Sequence, residues 1–134
     1  MFRKEMTQGT WIWGPTGVGK SHAAFKDFDP KTMYIHDIST EWWDAYEGQE
    51  TVIINEFRGE IKYGRMLDLV DKWPKLVPRR GREDTPFLAK RLIITSPMPP
   101  DECYQKSQGL DNIDQILRRF EVIHMKKRHF EEID

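Results

Sequence analysis

A chain of 134 residues, 38% hydrophobic and 32% charged, suits one globular domain with a sizeable core. Its single cysteine, Cys103, excludes an intrachain disulfide and a cysteine-rich zinc site, and no apolar run approaches the length of a membrane span, so no membrane partner is expected. The net charge of −1 hides an uneven distribution: residues 21–56 carry eight acids against two bases, and residues 57–91 carry ten bases against five acids. A basic middle on a near-neutral chain fits a localised polyanion site, and equally an ordinary solvated surface.

In chain order, the polar residues 1–10 read as a short lead-in. Trp11-Ile12-Trp13 predicts a first strand, which feeds the glycine-rich stretch from Gly14 to Ser21. Ser21–Lys26 predicts a short helix, ended near Asp27-Phe28-Asp29-Pro30, and Met33–His36 a second short strand. Residues 41–46 carry Trp42 and Trp43 and are broken by Gly48. The β-branched run Thr51-Val52-Ile53-Ile54-Asn55 predicts a buried parallel strand. Tyr63, Met66, Leu67 and Val70 fall on one face of an amphipathic helix that stops before Pro74. From Leu76 to Lys90, Pro78 and Pro86 flank Arg79-Arg80-Gly81-Arg82, which predicts a hairpin with a basic tip. Leu92–Thr95 predicts another buried strand, terminated by Pro97, Pro99 and Pro100. Ile113, Ile116, Leu117 and Phe120 again share a helical face, Val122–Met125 predicts a last strand, and the tail 126–134 reads as frayed. Short apolar strands alternating with helices predict a single α/β domain, with ligands at the strand C-terminal ends.

The stretch Gly14-Pro15-Thr16-Gly17-Val18-Gly19-Lys20-Ser21 fits G-x-x-x-x-G-K-[ST] at every fixed position, between a predicted strand and a predicted helix. Its glycines let backbone N–H groups curl round an anion, and the helix N-terminus adds partial positive charge. Lys20 would reach the β- and γ-phosphates of ATP, and the Ser21 hydroxyl would hold Mg²⁺. Such a loop needs an acid at the tip of a neighbouring strand. Glu56 is the candidate general base or Mg²⁺-site carboxylate, and Asn55 stands where a second acid is usual; an amide oxygen can hold metal-bound water but brings no charge. At the end of Leu92–Thr95, Thr95 and Ser96 are both able to contact a γ-phosphate or the attacking water, whereas Pro97 is not. Arg118 and Arg119 at a helix end are either solvated or, in a ring, placed to reach a neighbour's γ-phosphate. Lys75, Arg79, Arg80 and Arg82 form a candidate contact surface for nucleic-acid phosphates, independent of sequence and salt-sensitive.

These motifs in this order, with Trp42-Trp43-Asp44, Tyr46, Phe57 and Pro86-Phe87-Leu88-Ala89-Lys90, resemble the helicase domain of circovirus-like replication initiator (Rep) proteins. Those are superfamily 3 helicases of small circular single-stranded DNA viruses, and the resemblance runs from about Trp11 to Met125. It implies a P-loop NTPase fold with a central parallel sheet (an AAA+-like superfamily 3 core), assembly into hexameric rings, and ATP-driven movement along single-stranded DNA. Gly14 to Ser21 match the family's Walker A motif and Asn55-Glu56 its Walker B pair, where the family usually has two acids. Lys75 to Arg91 match the B′ motif, a hairpin whose basic residues face the ring pore. Thr95-Ser96-Pro97 match motif C, with Pro97 where a sensor Asn is typical, so Ser96 or Thr95 must substitute or the sensor is lost. Arg119 best matches the arginine finger, with Arg118 the near alternative. The resemblance also implies the host nucleus as the site of action. The N-terminal HUH endonuclease domain of such proteins has no counterpart here, so the chain is expected to be the helicase portion of a longer protein, without nuclease activity.

Two other readings fit the same residues. One is a small-molecule P-loop kinase in which Arg79-Arg80-Gly81-Arg82 form a lid; such a lid should join two helices, whereas a B′ segment should be a β-hairpin leading into the strand Leu92–Thr95. The other is a nucleotide-gated DNA-binding or packaging module without unwinding.

Overall fold

A computed structural model describes residues 1–104 and 113–126. Five strands form one fully parallel sheet in the order β2-β3-β6-β1-β7, made of β1 (Gln8–Trp13), β2 (Met33–Ile35), β3 (Thr51–Ile54), β6 (Arg91–Ser96) and β7 (Phe120–His124). The helices are α1 (Lys20–Phe25), α2 (Tyr63–Leu69), α3 (Pro100–Cys103) and α4 (Ile113–Arg119). β4 (Leu76–Val77) and β5 (Thr85–Pro86) pair antiparallel as a separate hairpin. The predicted tail lies outside the described residues beyond Lys126, and no helix among those described is long and apolar enough to cross a membrane.

The central strands are largely apolar on both sides because both faces of the sheet are covered there, whereas β7 at one edge is exposed from Glu121 to His124. Every residue of β3 is buried, as a central parallel strand requires. On one face Trp11, Val52, Ile54, Leu92 and Ile94 meet Met66 and Leu69 of α2 with the following Val70, Phe87 and Ala89 beyond the hairpin, and Ile116 of α4. Trp11 lies edge-on to Phe57 and Phe120, with ring centroids 5.6 and 5.4 Å away. On the other face Ile12 packs with Val18, Met125 and Ile93. Alternation along β1 therefore sends Trp11 and Ile12 to opposite layers.

Two expectations are corrected. Phe120 does not share the helical face of Ile113, Ile116 and Leu117 but opens β7, which ends at His124. The first ten residues are not a lead-in: Gln8–Thr10 belong to β1, and Arg3 and Thr7 are buried. The Arg3 guanidinium donates to the carbonyls of Leu69 (2.6 Å), Trp73 (2.8 Å) and Asp68, and to the Thr7 hydroxyl (2.8 Å). A cation is favourable there because the last carbonyls of α2 have no partner within the helix. The segment reads as polar because the group that anchors it is an arginine, whose role in closing a helix end leaves no periodicity in the sequence. Arg3→Met should cost about 3 kcal/mol of stability, since it strips several charge-assisted bonds from buried carbonyls. Urea denaturation reads the loss, and an unchanged midpoint would return the segment to a dispensable lead-in.

Candidate functional site

β6 inserts between β1 and β3, so its tip touches the glycine-rich loop on one side and the Asn55-Glu56 pair on the other. The register fixes this: Trp13 lies beside Ser96, and Ile54 beside Ile94. The glycine-rich loop leaves β1 at Gly14, whose amide donates to the Ser96 carbonyl (3.2 Å). A Cβ at Gly14 would stand 2.1 Å from the Met125 carbonyl oxygen, so only glycine lets the loop leave the sheet beside the end of β7. Gly17 (φ 88°) and Gly19 (φ 93°) adopt left-handed conformations that turn the chain back into α1. Pro15, Thr16 and Gly17 are exposed at the crest, Val18 is buried beneath it, and Gly19 directly precedes α1.

Lys20 is buried, yet all of its ammonium contacts come from the predicted motifs. Its Nζ donates to the carbonyls of Gly14 (2.6 Å) and Ser96 (3.1 Å) and lies 3.6 Å from Glu56 Oε1. The Ser21 hydroxyl donates to Asn55 Oδ1 at 2.9 Å, and the Thr95 hydroxyl donates to the same oxygen at 2.7 Å. Thr95 Oγ1 in turn accepts from the Glu56 amide at 2.8 Å. The donor set fits a hard cation: two hydroxyls and an amide oxygen converge beside a loop built to hold an anion. Among the described residues no cluster of three or more His, Cys, Asp or Glu forms a metal site.

Glu56 has φ 56°, the one non-glycine residue with positive φ among those described. Its neighbours force it there. Thr95 takes the Glu56 amide on its hydroxyl and the Phe57 amide on its carbonyl (2.8 Å), so two successive peptide groups turn onto one residue. The turn carries the Glu56 carboxylate back over Lys20, with Arg58 Nη2 3.7 Å from the second oxygen. Arg58 drew no notice as sequence; an arginine two residues after the strand-end acid was the available signal.

Ser96 and Thr95 divide the strand tip between them. The Ser96 hydroxyl is fully buried, donates to the Phe57 carbonyl (2.7 Å) and accepts from the Met98 amide (3.1 Å). Only its carbonyl meets Lys20, and the hydroxyl at the Ser21–Asn55 pair is that of Thr95. Arg119 lies at the opposite end of the sheet: it precedes Phe120, which pairs with Gly9 at the start of β1, and its guanidinium is 3.5 Å from Asp71. Within one chain it does not reach the glycine-rich loop. Arg118 beside it is exposed.

The basic hairpin is present, with Leu76 opposite Pro86, Val77 opposite Thr85, and Gly81 (φ 69°) at the tip. It runs on into β6 and does not join two helices, which is the feature that separates a B′ hairpin from a kinase lid. The tip is tied to the loop before β3. The Arg80 amide donates to Asp44 Oδ1 (2.6 Å), and the Arg82 guanidinium donates to the Asp44 carbonyl. Arg79 Nε donates to the Glu83 carbonyl (2.8 Å), while Lys75 at the base pairs with Asp68 (3.6 Å).

A family model described as RNA helicase matches residues 10–98. The chain is 38% identical over 108 residues to the replication-associated protein of Porcine circovirus 2, covering 81% of this chain and 34% of that protein. It is 41% identical over 95 residues to that of Beak and feather disease virus (71% and 32% covered), and 33% identical over 129 residues to that of Porcine circovirus 1 (92% and 41%). The chain thus spans between 32% and 41% of the length of these relatives. The apo structure of the NrS-1 C-terminal region (305–718) superimposes with a TM-score of 0.57 at 20% identity, over 91% of this chain and 30% of that one, which shows a shared fold.

The conformation of Glu56 generates a stability prediction. Glu56→Gly should leave the fold intact and raise stability by about 1 kcal/mol. It relieves a left-handed conformation at the cost of ion pairs to a carboxylate that is 40% exposed. Thermal denaturation checks this, and a clear loss of stability would mean that the carboxylate holds the site together.

Proposed function

We propose, from the premise that the chain belongs to the RNA helicase family, that it is the motor domain of a circovirus-like replication-associated protein, hydrolysing ATP with Mg²⁺ at the interfaces of a ring and drawing single-stranded DNA past its basic hairpins. The observation that carries this reading is the convergence of Lys20, Ser21, Asn55, Glu56 and Thr95 through hydrogen bonds and one ion pair at the end of the parallel sheet.

Each residue then has a defined task. The amides from Thr16 to Lys20 line the phosphate cradle, and Lys20 exchanges the Gly14 and Ser96 carbonyls and Glu56 for phosphate oxygens. Ser21 Oγ and Asn55 Oδ1 would hold Mg²⁺, which when bound supplies neutralisation of phosphate charge. Freed of Lys20, the Glu56 carboxylate accepts the proton of an attacking water, and its fixed backbone turn keeps it aimed at the site. Thr95 orients Asn55 and the Glu56 peptide, a positioning task that needs no phosphate contact. Arg119, remote from the loop of its own chain, serves a neighbour's site after releasing Asp71. Lys75, Arg79, Arg80 and Arg82 take the phosphates of the strand. The hairpin's passage into β6 favours this reading over a kinase lid.

ATP hydrolysis measured alone, with single-stranded DNA and with single-stranded RNA tests the proposal. Hydrolysis should rise several-fold with DNA and vanish in Lys20→Ala. Arg79→Ala with Arg80→Ala should abolish the stimulation while leaving nucleotide affinity near that of the unaltered chain. Stimulation by RNA alone would reassign the strand. Indifference to both, with phosphate passing to a nucleoside acceptor, would replace the motor with a kinase.

A further inference from the structure

A cleft of about 600 Å³ opens between the loop that follows β2, the start of α2 and the base of the β4–β5 hairpin, and neither the nucleotide site nor the hairpin tip uses it. Its volume falls in the range of small-ligand sites. β3 and β6 both lie between β2 and β1, so at ordinary strand spacing the cleft stands roughly 14 Å across the sheet from the strand that feeds the glycine-rich loop.

Its lining is aromatic and charge-balanced. His36 stacks on Trp43 with ring centroids 3.8 Å apart and planes inclined by 14°, and the partly buried Trp42 carries the Arg80 guanidinium 5.8 Å from its ring centroid. Lys62, Arg65 and Lys75 are offset by Glu41, Glu60 and Asp84, so the walls offer no net charge to a phosphate. They suit an uncharged planar ring with polar edges. One polar atom in the lining is unpaired: His36 is only 4% exposed, and among the described residues its Nδ1 has no hydrogen-bond partner. Burial pulls its pKa down to about 4 against the opposing pull of Asp37, so the imidazole is neutral at physiological pH, with one nitrogen to donate and one to accept. A buried polar atom left unpaired is costly, and a ligand that satisfies it recovers that cost.

The hairpin contributes Lys75, Leu76, Val77, Pro78 and Asp84 to the cleft, and its arginines begin at the next residue, Arg79. A strand whose phosphates lie along Arg79 and Arg80 therefore crosses the mouth of the cleft. We propose that the cleft takes one unstacked nucleobase of that strand, laid against Trp42 and hydrogen-bonded at its edge to His36 Nδ1. The proposal rests on the reading of the chain as a single-strand binder. It adds a base-holding subsite to the phosphate contacts of the hairpin, so that part of the affinity comes from base stacking, which tolerates any sequence.

The test compares a fluorescent thymidine oligomer with an abasic oligomer of the same length and phosphate count. The unaltered chain should bind the base-bearing strand about tenfold more tightly, in keeping with one stacked base. Trp42→Ala should erase that margin while leaving affinity for the abasic strand and for ATP unchanged. His36→Phe, which keeps a ring on Trp43 but removes Nδ1, should narrow the margin, and it guards against a misfolded Trp42 variant. Arg79→Ala should weaken both strands equally. A margin that survives Trp42→Ala and His36→Phe overturns the subsite and leaves the motor reading standing, and so does equal binding of both oligomers by the unaltered chain. Loss of ATP affinity in Trp42→Ala assigns the cleft to the nucleotide and also overturns the proposal. Binding of neither oligomer removes the single-strand reading and the subsite with it.

Discussion

One hydroxyl joins the two halves of the proposed nucleotide site. Thr95 Oγ1 accepts the Glu56 amide and donates to Asn55 Oδ1, and Asn55 Oδ1 also accepts from Ser21 at the start of α1. Three segments far apart in sequence meet at that group. The geometry follows from strand order: with β6 between β1 and β3, a side chain at its tip is in reach of both neighbours. The left-handed turn at Glu56 is a consequence of the same residue, since Thr95 holds two successive amides and leaves the backbone no other course. Strain of this kind persists only where surrounding bonds over-determine it.

Charge is distributed by a similar logic. The acidic and basic stretches of the chain partly neutralise each other in space: Asp44 meets Arg80, Glu50 meets Lys90, and Glu56 meets Arg58. The hairpin is thus a set of arginines held against the loop that carries Trp42 and Trp43, and not a bare cationic patch. Exposed pairs of this type contribute little to stability. Their effect is to fix where the arginines sit and which groups a phosphate must displace.

The sequence made the sheet and the phosphate loop legible because their signals are local. The strands at Trp11, Thr51 and Leu92 are apolar runs, the glycine motif has fixed spacing, and two prolines around Gly81 predict a hairpin that is present. Placement of Asn55 and Glu56 beside the loop was also legible, because strand ends at a parallel sheet gather on one edge. What stayed hidden depends on contacts across the chain. Arg3 is polar in any pattern yet fills a buried helix end. Thr95 and Ser96 are interchangeable as letters, and only the pleat shows that the Ser96 hydroxyl turns to Phe57 while the Thr95 hydroxyl faces Asn55. The cleft around His36 has no motif, since its walls come from three separate segments.

The central claim is that Thr95 organises catalysis without touching phosphate, and Thr95→Val tests it most directly, because valine keeps the shape and deletes the hydroxyl. Nucleotide affinity and single-turnover ATP hydrolysis should be measured on the same preparation. The account predicts hydrolysis slowed at least about tenfold, with affinity altered little, because Glu56 and Asn55 lose their common anchor while the phosphate loop does not. Hydrolysis at the unaltered rate would contradict it.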